Sequence, residues 1–84
     1  MGNKLCITYE MFTIDSTATV ISNNQIVNAF RINLNDIDFN ILTEICKYNN
    51  IDEIVLYGPE KVMEKYKQQI NTKFSKSIKI TIVD

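Results

Sequence analysis

The stretch Ile51-Asp52-Glu53-Ile54-Val55-Leu56-Tyr57-Gly58-Pro59 decides the fold class. Ile54 to Tyr57 form a near-continuous apolar run. A strand buried on both faces reads this way, and such strands are found inside parallel sheets. Gly58-Pro59 stops the strand and opens a helix, because a proline's missing N–H costs nothing in a helix's first turn.

Helical spacing flanks this strand on both sides. Before it, Ile37, Ile41, Leu42, Ile45 and Tyr48 recur at the interval of an amphipathic helix over residues 36–48. Asn35 or Asp36 is expected to cap it, with Asp38 favoured by the helix dipole and Asn49-Asn50 ending it. After it, Val62, Met63, Tyr66, Ile70 and Phe74 form one stripe of a second helix running to about Phe74. Residues 77–83 then alternate strictly, with Ile78, Ile80 and Ile82 against Lys79, Thr81 and Val83, as in an edge strand with one wetter face. Lys79 discourages unwanted pairing there.

The N-terminal part has the two-residue period of strands. Over residues 4–12, Leu5, Ile7, Tyr9 and Met11 share one side, and Cys6, Thr8, Glu10 and Phe12 the other. Asp15-Ser16 reads as a turn, and the β-branched residues 17–22 as a second strand. Asn23-Asn24 tolerates the positive φ of a tight hairpin. The third strand, residues 25–34, places Ile26, Phe30, Ile32 and Leu34 on its apolar side. The expected order is βββαβαβ, an α+β (α/β-like) domain built on one mixed five-stranded sheet. Right-handed crossovers put both helices on one face. The other face is left open, carrying Cys6, Thr8, Glu10, Phe12, Val27, Ala29, Arg31, Lys79, Thr81 and Val83.

Composition narrows the chemistry. The chain has 84 residues, 45% of them hydrophobic and 23% charged, which suits a single globular domain and not a disordered one. Fourteen isoleucines, ten asparagines and eight lysines point to an AT-rich source, a low-GC bacterium or a phage or mobile element within one. There is no histidine, so the usual base for a serine or cysteine nucleophile is missing. Cys6 and Cys46 lie forty residues apart in apolar contexts and read as reduced core residues rather than zinc ligands. No phosphate-binding glycine motif appears, and no cofactor is expected. No apolar run approaches the roughly 18 residues of a membrane span, so a cytoplasmic protein is expected, in the producing cell or a host.

The element order resembles the core of the ribonuclease H-like superfamily, whose sheet runs 3-2-1-4-5 with the second strand antiparallel. The stretch TIDSTATVISNNQIVNAF, residues 13–30, is similar to the opening hairpin of that superfamily's actin-like ATPases, without their glycines. For the nucleases, the resemblance implies carboxylates on the first strand, the first helix and the end of the fourth strand, together holding two metals. Glu10 and Glu44 match the first two positions. The fourth strand ends in Tyr57-Gly58, with no carboxylate.

Two binding readings remain beside a residual nuclease. Residues 1–64 have a net charge of −5 and residues 65–83 of +5. The basic segment suggests phosphate contacts from Lys65, Lys67, Lys73, Lys76 and Lys79, with Tyr57 stacking on a base. The open sheet face and last edge suggest a non-catalytic module that binds or inhibits another protein, or self-associates, through Glu10, Phe12, Arg31, Lys79, Thr81 and Val83.

Overall fold

The strand read from Ile51 to Tyr57 lies inside the sheet with those limits. The computed structural model describes residues 2–74 and 78–84. In chain order its elements are β1 (Asn3–Thr8), β2 (Ser16–Ser22), β3 (Gln25–Ile32), α1 (Phe39–Tyr48), β4 (Ile51–Tyr57), α2 (Glu60–Lys73) and β5 (Lys79–Val83). They form one mixed five-stranded sheet of order β3-β2-β1-β4-β5. β1 pairs antiparallel with β2 and parallel with β4.

Register explains the core. Leu5 faces Val20 and Ile54, Ile7 faces Ala18 and Leu56, and Ile54 faces Ile80. This row is buried under Leu42 and Cys46 of α1 and Met63, Tyr66 and Ile70 of α2. Both helices therefore cover the same side. Val55 is also buried, on the opposite side, whereas Tyr57 on that side is 39% exposed. Gly58 lets α2 pack close: a Cβ there would lie 2.9 Å from Tyr9 Cβ and 3.1 Å from Met63 Sδ.

Asn23 and Asn24 both have positive φ, 52° and 63°, and make the two-residue hairpin between Ser22 and Gln25. Asp38, rather than Asn35 or Asp36, caps α1: its Oδ1 accepts from the Asn40 and Ile41 amides at 3.1 and 3.2 Å. Asn33 and Asp36 instead close a turn, the Asp36 amide donating to the Asn33 carbonyl.

Four sequence expectations shift. The ladder of β1 with β2 ends at the Thr8–Thr17 pair, so residues 9–15 form a loop, and Ser16, read as a turn residue, opens β2 buried. β3 stops at Ile32, and Leu34 is buried from the turn that follows. A register shift between Val20 and Ile21 inserts a bulge opposite them, so Ile26 faces Ile21 on the open side and is 66% exposed. The buried stripe of α1 runs through Leu42 and Cys46, leaving Ile41 and Tyr48 exposed. The reading of the last strand as beginning at Ser77 lies outside the described residues.

Candidate interaction site

Two carboxylates sit on the face opposite α1 and α2, and each has neighbours that neutralise it. Glu53 of β4 stands between Lys4 of β1 and Lys79 of β5, which are its ladder partners. Its oxygens lie 3.7 Å from Lys4 Nζ and 3.8 Å from Lys79 Nζ, and Thr81 Oγ1 donates to Oε2 at 2.6 Å. The Thr81 hydrogen bond, aided by the two lysines, holds the Glu53 carboxyl below the ordinary carboxylate range.

Glu10 anchors the second cluster. Its Oε2 accepts from Thr17 Oγ1 at 2.6 Å and from Arg31 Nη1 at 2.8 Å. The Thr17 hydrogen bond is the main cause that lowers its pKa, with Arg31 adding to it. Arg31 Nη2 also donates to the Asp15 carbonyl at 2.6 Å, so one guanidinium ties β3 to both ends of the loop between β1 and β2. Within that loop Thr13 Oγ1 donates to the same carbonyl.

The loop held this way is apolar at its tip. Met11 is 68% exposed, Phe12 93% and Ile14 79%. Burying such a side chain typically stabilises by about 1.5–3 kcal/mol, and here three in four consecutive positions forgo it. Tyr57 and Val83, each about two-fifths exposed, lie at the same end of the sheet, where Tyr57 pairs with both Thr8 and Val83.

The candidates named from sequence separate accordingly. Glu10 and Arg31 are brought together, as are Lys79 and Thr81 around Glu53. Phe12 leaves the sheet for the loop tip, and Val83 stays on the open face. Glu10 and Glu44 are not brought together: Glu44 is exposed on α1, which covers the opposite side of the sheet from Thr17 and Arg31. No group of three or more metal-ligating side chains occurs among the described residues. The basic set divides too. Lys65, Lys67 and Lys73 lie on α2, whereas Lys79 and Tyr57 belong to the open face. Lys65 sits 5.8 Å over the Tyr66 ring. Lys76 lies outside the described residues.

The cysteines differ from each other. Cys46 is in the core, and burial pushes its thiol up to about 11. Cys6, expected in the core, is half-buried on the open face opposite Thr19 and Val55; burial raises its thiol as well, Lys4 opposing the rise. Both are protonated at neutral pH and so are weak nucleophiles.

Sequence reasoning missed Met11 and Ile14 as surface residues. The alternation of Leu5 to Phe12 absorbed Met11 into a strand, although Thr13 and Asp15 beside it are turn formers. Among the described residues no helix is long and apolar enough to cross a membrane. Comparison with known proteins finds no matching family model, no matching curated protein and no matching solved structure.

Proposed function

We propose that this protein is a non-catalytic interaction module that binds, and by binding inhibits or bridges, another protein, with the Met11–Ile14 loop as its anchor. The observation that carries this reading is the near-complete exposure of Phe12 on a loop fixed at its base by Arg31. A fixed loop loses little freedom on docking, so an aromatic at its tip can act as a binding hot spot. The charged side chains Lys4, Glu10, Arg31, Glu53 and Lys79 of the open face are already paired with one another, which leaves the apolar loop as the strongest unsatisfied feature there. Glu10 and Arg31 hold the loop; Val83 lies at the same end of the sheet, and Thr81 and Lys79 stand farther along β5. The likeness to the ribonuclease H-like superfamily is, in this reading, one of strand layout without the metal site.

A photo-crosslinking residue at position 12, compared with one at Asn71 on α2, tests the reading in the producing cell. A discrete protein adduct specific to position 12 and lost in the Met11→Ser/Ile14→Ser background is expected. Identical adduct patterns at the two positions, or sedimentation with phosphatidylcholine vesicles that depends on Phe12, overturns it.

A further inference from the structure

The two edges of the sheet are protected unequally. β5 has five residues, with Lys79 at its start. β3 has eight, contains no proline and no lysine, and is exposed from Gln25 through Ala29. Its one charge, Arg31, is drawn toward Glu10 on the open face. Edge strands with unpaired amides and carbonyls are templates for a further strand, and charge or proline is the ordinary defence.

Beneath the C-terminal half of β3, on the helix side, lies a hollow of about 180 Å³. The strand contributes Phe30, Arg31 and Ile32, and α1 contributes Ile41, Leu42 and Ile45. Leu42 is the buried floor, while Ile41 remains 57% exposed because the buried stripe of the helix runs through Leu42 and Cys46. An apolar cavity of about 150 Å³ holds a benzene ring, so this hollow takes one aromatic or branched side chain. Asp36 and Asp38 stand at its wall. Among the described residues neither forms a salt bridge.

We propose that the β3–α1 groove receives, as a sixth strand, an extended segment of a partner protein in which an apolar side chain is flanked two positions away by basic ones. Main-chain hydrogen bonds to the β3 edge supply the pairing, as in other strand additions. Alternate side chains point to opposite faces. One apolar side chain therefore enters the hollow, and a lysine or arginine two positions along, on the same face, meets Asp36 and Asp38 at its wall. The bulge at the N-terminal half of β3 bends that part of the edge, so pairing runs along residues 28–32, directly above the hollow. Phe12 does not line this groove, and the proposal does not depend on it.

The probe is a fluorescein-labelled nine-residue peptide in which a central phenylalanine and the lysines two and four positions from it share one face and valines fill the other, read by anisotropy and by amide shifts of the intact chain. The expected result is saturable binding at least about tenfold tighter than that of the peptide with glutamate for lysine. Amide shifts should cluster on residues 28–32 and α1. Ile41→Lys should weaken binding about tenfold and Asp36→Lys severalfold; both positions are exposed, so the fold is preserved. Phe12→Ser should leave binding unchanged. No binding at millimolar peptide, equal binding of the glutamate peptide, or shifts away from β3 and α1 overturns the proposal. So does a dimer of the protein alone that protects the β3 amides, since the occupant is then a second copy.

Discussion

The two sides of the sheet solve opposite problems. The helix side excludes water with branched and sulfur-containing chains: Leu5, Ile7, Ile54 and Leu56 are fully buried beneath Leu42, Met63 and Ile70. The open side meets water and is built on threonines with two carboxylate clusters, Glu53 with Lys4, Lys79 and Thr81, and Glu10 with Thr17 and Arg31. One side resists change through packing, whose loss is large and local. The other resists it through partly solvated polar contacts, individually small. Stability therefore belongs to the helix side, and the open side and its loop are free to change chemistry without unfolding the domain.

Core truncation is the most severe way to break that contrast. Leu56→Ala removes side-chain volume at a fully buried site, and a loss of about 2–5 kcal/mol is expected from urea denaturation. A loss under 1 kcal/mol would mean that the core is loosely packed. Gly58→Ala comes next, because the added methyl meets Tyr9 Cβ, which is tied to the backbone and has little room to yield. A loss of about 1–3 kcal/mol is expected by the same measurement, from overpacking where strand and helix meet.

The smallest effect sharpens the contrast through pH. Glu10 and Glu53 titrate below their ordinary value of 4.5 in the folded chain, each held down first by a threonine hydrogen bond and further by its cations. A depressed carboxylate stabilises the fold at pH above the ordinary value, and the contribution is lost as pH falls through the depressed one. Stability should be flat from pH 7 to about 5 and then decline on acidification. The Glu10→Gln/Glu53→Gln variant should show a shallower acid limb. An unchanged limb in the variant would place the acid sensitivity in other carboxylates.

Much of the architecture was legible because short-range periodicity reports it directly. The run Ile54 to Tyr57, the stripe Met63–Tyr66–Ile70 and the Asn23-Asn24 turn each hold their structure for reasons within a few residues. The interaction surfaces were less legible. Phe12 and Met11 continue the alternation of β1, yet the ladder stops at Thr8, and the Glu10–Thr17–Arg31 contacts beyond it join residues up to 21 positions apart. Ile26 shares the parity of Phe30 and Ile32, but one bulged position moves it to the other face.

The sequence by itself determined which segments are strands and helices, the single covered face and a residue set without histidine or a glycine-rich phosphate motif, since these depend on residue type and spacing. Only the tertiary structure decided that Glu10 and Glu44 stand on opposite sides of the sheet, that Met11, Phe12 and Ile14 project from a clamped loop, and that α1 leaves Ile41 beside Phe30. Those outcomes depend on where a ladder ends, where a bulge falls and how a helix is turned about its axis, and each of these is settled by packing between residues far apart in the chain.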